Sequence, residues 1–187
     1  MESLLDFSGV ESGRGHSNRV FALAWHPDDP QLLFSGGWDR TVQVWDLRVQ
    51  RSVRSIFGPY LCGEGLAVDG NTLLTASWRT RHAAQLWDWT TGELLTNLPA
   101  GDQEMLYAGA LLSSASGERV VAVGGSGPSP AVRVMSQRGV ELGAFECSSA
   151  VHSIAQGHPS VDGCPSALVC CAASVHVLPL EGLPFEM

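Results

Sequence analysis

The chain has 187 residues and a formal net charge of −8, with 44% apolar and 16% charged residues, 21 Gly and 10 Pro. A chain of this size hides roughly 70% of its unfolded surface, and this balance excludes a disordered chain and favours one turn-rich globular domain. All 11 basic residues are Arg, and the acidic excess disfavours a nucleic-acid partner, whose binding rests on basic groups that neutralise phosphates.

The opening MESLLDFSGVESG carries no basic region before its short apolar patch. No apolar run approaches the roughly 18 residues of a membrane span. The expectation is an intracellular protein, cytoplasmic or nuclear, that does not enter a membrane. MESLLDF itself reads as the outer strand of a preceding, mostly absent sheet. Next come a strand candidate at Arg19 to Trp25 (RVFALAW), the turn HPDDP, and then LFSGGWDRTVQVWD from Leu33 to Asp46. Apolar Val42 and Val44 alternate there with Gln43, the period-two signature of a strand. A further candidate, SVRSIFG, follows at Ser52 to Gly58.

The pattern then repeats. LLTASWRTRHAAQLWD, Leu73 to Asp88, matches Ser35 with Thr75, Trp38 with Trp78, and Trp45-Asp46 with Trp87-Asp88. Two weaker copies put Met135 and Leu178 at the Trp45 position, so the markers fall at 45, 87, 135 and 178. Four short strands in each unit of roughly 44 residues describe a blade of a β-propeller. The predicted fold is therefore all-β: one domain over 1–187, with a lead strand at 1–14 and approximate repeats 15–57, 58–100, 101–143 and 144–182.

Gly15-His16, Trp25-His26-Pro27-Asp28 and Trp45-Asp46 carry a resemblance to the WD40, or WD-repeat, family, densest over residues 15 to 90. The resemblance implies a structural tetrad of His16, Ser35, Asp39 and Trp45, whose buried polar groups satisfy one another. The second repeat departs from it: Arg79 stands at the Asp39 position, and FGPY replaces the Gly-His pair. The third and fourth repeats lack the tetrad and are expected to be softer blades held by apolar packing.

Function is expected to be protein binding without catalysis. Trp38 and Trp78, with Arg40, Arg79 and Arg81 beside them, have the composition of a protein-binding hot spot on the tetrad end; the competing reading packs each indole on its own blade. On the opposite end, Asp46 and Arg48 close a stretch that resembles the adaptor-docking box of substrate receptors in cullin-4 ubiquitin ligases. There Arg48 would reach out to a partner carboxylate. A remoter alternative makes Ser35 the nucleophile of a Ser-His-Asp hydrolase. No phosphate-binding loop is present, no cofactor is expected, and no Cys or His spacing asks for a metal, since Cys62, Cys147, Cys164, Cys170 and Cys171 form no CxxC pair and read as free thiols. Propellers in this family close with about seven blades. Four imply an incomplete or open ring, with strand edges exposed unless a partner chain or second copy completes it.

Overall fold

The computed structural model describes residues 15–101, 104–114, 117–157 and 165–180. The proposed lead strand at 1–14, His158 and Cys164 lie outside them. Fifteen strands and no helix occur among the described residues. The first sheet runs β1 (Val20–Trp25), β2 (Leu32–Gly37), β3 (Thr41–Asp46) and β4 (Arg51–Phe57), in spatial order β1-β2-β3-β4. The second repeats this order with β5 (Leu66–Asp69), β6 (Thr72–Ala76), β7 (Ala84–Asp88) and β8 (Glu93–Leu98). The third uses β9 (Met105–Ser113), β10 (Arg119–Ser126), β11 (Ala131–Ser136) and β12 (Glu141–Glu146). The fourth shows three strands among the described residues: β13 (Val151–Gln156), β14 (Ser166–Cys171) and β15 (Val175–Pro179). Every pairing is antiparallel.

The turns explain why these strands stop where they do. Between β2 and β3, Asp39 accepts the Thr41 N–H at 3.1 Å, and Arg40 takes a left-handed φ of 61°. An Asx-type bond of this kind replaces a backbone partner and fits a short Asp in a tight turn. Between β1 and β2, His26 Nδ1 accepts the N–H groups of Asp28 and Asp29, both at 3.1 Å. Gly37 must lack a side chain, because a Cβ there would lie 2.0 Å from the Arg19 carbonyl oxygen.

Each sheet uses its two faces differently. Phe34, Val42 and Val44 of the first meet Leu66, Leu73 and Trp87 of the second. Leu74, Ala84 and Leu86 of the second meet Leu106, Val121 and Met135 of the third. Ala122, Val132 and Val134 of the third meet Val151, Ile154 and Val169 of the fourth. Innermost strands β1, β5, β9 and β13 face a common central cavity, lined in part by Leu23, Leu66, Gly109 and Ile154. This is a four-bladed propeller. Among the described residues, no strand hydrogen bonds and no apolar cluster join the fourth blade to the first.

Polar side chains add links between blades. Arg119 pairs with Asp69 at 2.8 Å, and Arg54 donates to the Thr91 carbonyl at 2.8 Å. His26 Nε2 reaches the Gly70 carbonyl at 3.0 Å, while the Trp89 indole donates to the same oxygen at 2.8 Å.

Candidate protein-interaction site

One end of the first blade is organised by a polar chain. The Trp45 indole N–H donates to Ser35 Oγ at 2.7 Å, and Ser35 lies 2.7 Å from His16 Nε2. With its oxygen already accepting from the indole, the Ser35 hydroxyl donates its proton to Nε2. That leaves the His16 Nδ1–H to donate to Asp39, also at 2.7 Å. Asp39 further accepts the Ser17 N–H at 3.0 Å and the Thr41 hydroxyl at 3.0 Å. Burial pushes the Asp39 carboxyl up, but these hydrogen bonds and the neighbouring imidazole outweigh it and hold its pKa below the ordinary value.

The atoms of Ser35, His16 and Asp39 connect in the same sense as a hydrolytic triad. Ser35, however, is only 3% exposed and capped by the indole, so it presents no nucleophile to a substrate. The hydrolase alternative fails at that residue for a steric reason.

The depressed Asp39 value has a consequence for stability. Its contribution is complete above the unfolded value of 3.8 and is lost as pH falls through the lower folded value. Unfolding midpoints of the parent and Asp39→Asn, compared from about pH 5 to about pH 2, should converge as the pH falls. A constant gap would show that the carboxylate charge is not what the blade uses.

The second blade keeps half of this chain and rebuilds the rest. Trp87 donates to Thr75 Oγ1 at 3.0 Å, and Gly58 lies against the Trp87 ring as Gly15 lies against Trp45. In register with His16 stands Pro59, which is buried. Arg79 turns inward. Its guanidinium donates to the carbonyls of Gly58 at 3.2 Å and His82 at 2.7 Å, and to the Gln85 side chain. Burial, with Arg40 nearby, lowers its pKa from the ordinary guanidinium value.

Around these two turns lies a row of rings. Phe21 and Trp38 have centroids 4.9 Å apart, Trp38 and Tyr60 6.5 Å, and Tyr60 and Trp78 6.5 Å. Trp38 is half-buried, its N–H donating to Cys62 Sγ at 2.9 Å and its ring covered by the Arg19 guanidinium at 5.2 Å. Burial raises the Cys62 thiol pKa. Trp78 is 36% exposed, and Arg40 and Arg81 are exposed at the edge of the row. Among the described residues no carboxylate pairs with Arg19, Arg40 or Arg81. Thus Trp38 follows the packing alternative in large part, Trp78 stays open, and Arg79 is engaged within its own blade. Phe21, Arg19 and Tyr60 were missed from sequence, because they reach the row from β1, its leading loop and the β4–β5 loop.

At the opposite end, Arg48 does not reach out. Its Nε and Nη2 donate to the two Asp46 carboxylate oxygens at 2.8 and 2.9 Å, and Nη2 also meets Asp29 at 3.2 Å. Those contacts raise the Arg48 pKa and lower that of Asp46. A partner carboxylate would have to displace an internal one.

The comparisons with known proteins agree with this architecture. A family model described as "WD domain, G-beta repeat" (WD40) matches residues 9–46. The small ribosomal subunit protein RACK1y of Oryza sativa subsp. japonica is 32% identical over 91 residues, 48% of this chain and 27% of the relative. The GATOR2 complex protein WDR24 of Dictyostelium discoideum is 34% identical over 47 residues, 25% of this chain and 5% of the relative. Human Coronin-2A is 44% identical over 39 residues, 21% of this chain and 7% of the relative. The chain thus matches about a quarter or less of these relatives' lengths. Among solved structures, the computationally designed Ika4 protein superposes with a TM-score of 0.72 at 19% identity, covering 97% of this chain and 100% of that one. The WD40 β-propeller domain of Doa1 gives 0.69 at 16% identity, over 89% and 52%. With a WD repeat matched over residues 9–46 and the blade plan continued through the other three sheets, the chain is similar to WD-repeat proteins and folds as a four-bladed β-propeller whose ring, among the described residues, is not closed by hydrogen bonds.

Proposed function

We propose that the chain is a non-catalytic protein-interaction scaffold, and that it binds an acidic, aromatic-accepting segment of a partner protein across the tetrad end of its first two blades. The observation that carries this reading is Trp78, a large indole left 36% exposed at one end of a ring row whose other end, Phe21, is 39% exposed and whose middle members, Trp38 and Tyr60, are half-buried. Exposed Trp and Arg side chains in one patch are the composition of binding hot spots. Burial, and after it the nearby Arg40, lowers the Arg79 pKa, and among the described residues neither arginine forms an ion pair. An incoming acidic side chain would relieve that repulsion. Two of the relatives bear the names of components of assemblies, a ribosomal subunit and the GATOR2 complex, which supports the scaffold class.

Trp78→Ala combined with Arg81→Glu separates binding from folding, because both side chains are exposed. The double variant should keep the parent circular dichroism spectrum and lose at least about tenfold in affinity for partners recovered with the parent chain. Recovery of the same partners in the same amounts would place binding elsewhere. Trp38 is unsuitable for this test, since its removal also breaks the contact with Cys62.

A further inference from the structure

Among the described residues, both ends of the blade series leave large apolar side chains exposed, Leu23 and Trp25 at the first blade and Val175 and Val177 at the fourth, while Ser35, Gln43 and Trp45 on the first-blade face are buried. Within the chain, each blade presents the face containing its apolar β3-type residues, Val42 and Val44 in the first, Ala84 and Leu86 in the second, Val132 and Val134 in the third, to the next blade. Val42 and Val44 of the first blade are 0% exposed because Leu66, Leu73 and Trp87 of the second cover them. In the fourth blade the same positions fall on Val175 and Val177, paired with Cys170 and Leu168, and these valines are 68% and 64% exposed. The other half shows the same contrast. Leu66 pairs with Thr75 and is 7% exposed, whereas its counterpart Leu23 pairs with Ser35 and is 67% exposed. Trp25, next along that face, is exposed too. Inside the chain the Val42 and Val44 slots hold buried apolar side chains three times, with Ala84 and Leu86 in the second blade and Val132 and Val134 in the third, and the Leu23 slot holds one twice, Leu66 and Ile154, with Gly109 standing there in the third blade.

We infer that a second copy of this chain covers both ends. The valine face of the fourth blade in one copy docks on the Leu23–Trp25 face of the first blade in the other, and the reciprocal contact forms at the second seam. The occupant is a second copy because each open face requires the other as its complement, and one chain carries both. Its own two ends do not satisfy each other, since Leu23, Val175 and Val177 all remain exposed. A head-to-tail contact made twice closes as a pair about a two-fold axis instead of growing into a filament. It yields eight blades, within the usual propeller range, and it removes both open sheet faces. This pairing uses neither Trp78 nor Arg81, so it stands or falls separately from the partner-binding face.

The test is the mass of the purified chain in solution, by light scattering after size exclusion across a concentration series. The expected species has twice the 19.9 kDa of the single chain. Leu23→Asp and Val177→Arg, each on an exposed position, should each halve that mass while keeping the parent circular dichroism spectrum. Mixed in equal amounts, the two variants should recover the pair, because one of the two seams in the mixed species is unaltered on both sides. A parent chain of single mass at every concentration overturns the inference, as does an open ladder of larger species. Pairs that survive either substitution, or variants that do not complement on mixing, overturn the head-to-tail arrangement.

Discussion

Replacing Phe34 with alanine should cost about 3–5 kcal/mol, the largest effect of any single truncation in the first blade. The ring is fully buried in the cluster that joins blades one and two, in contact with Trp89 at a centroid distance of 5.3 Å and stacked on His26 at 6.4 Å. Its removal opens a cavity that neither blade can collapse around, because Val42 and Val44 on one side and Leu73 on the other are already in place. It also frees the His26 ring, which holds the β1–β2 turn through Asp28 and Asp29 and reaches the Gly70 carbonyl in the next blade. Urea unfolding followed by tryptophan fluorescence measures the loss directly. A change below about 1 kcal/mol would mean that the two blades are not joined through this ring. Phe34→Leu, which refills most of the volume, should recover the larger part of the stability.

The second large effect belongs to Asp39. Asp39→Ala should destabilise by about 2–4 kcal/mol, because several donors lose a charged acceptor at once, each worth about 1–3 kcal/mol. The carboxylate accepts from the His16 imidazole, the Ser17 and Thr41 N–H groups and the Thr41 hydroxyl. Without it, the imidazole proton and two backbone donors lose their partner at once, and an unsatisfied buried group costs more than a hydrogen bond is worth on average. The loss should spread from His16 to Ser35 and Trp45, so a double-mutant cycle of Asp39→Ala with Trp45→Phe should be non-additive. Simple addition of the two effects would show that the four residues act independently. Arg48→Ala provides the contrast, since that pair with Asp46 lies in solvent and should leave the urea midpoint nearly unchanged.

Much of the architecture was legible because it is written in spacing. Trp45 and Trp87 sit at the same place in β3 and β7, and Met135 and Leu178 continue that register into blades that have lost every other marker. Alternation of apolar and polar residues identifies a strand whatever the residues are, so weak repeats remain readable. Direction was harder to see. Arg79 and Arg48 both read as outward-facing cations, yet one bonds to Gly58, His82 and Gln85 and the other folds onto Asp46 and Asp29. A long guanidinium stem can turn either way, and the deciding acceptors are backbone carbonyls or residues distant in sequence. Proximity across blades was equally hidden. Nothing between Phe21 and Tyr60 in the chain announces that Trp38 lies between them in space.

Among the described residues no core joins the last blade to the first, and this has a mechanical consequence for the isolated chain. A hoop shares strain around its whole circumference, whereas a row of units coupled only to their neighbours behaves as a one-dimensional stack. In such a stack, melting begins at a terminus and advances unit by unit, and damage to one unit fades with its distance along the row. The two middle blades, each clasped from both sides, should therefore exchange their amide protons last.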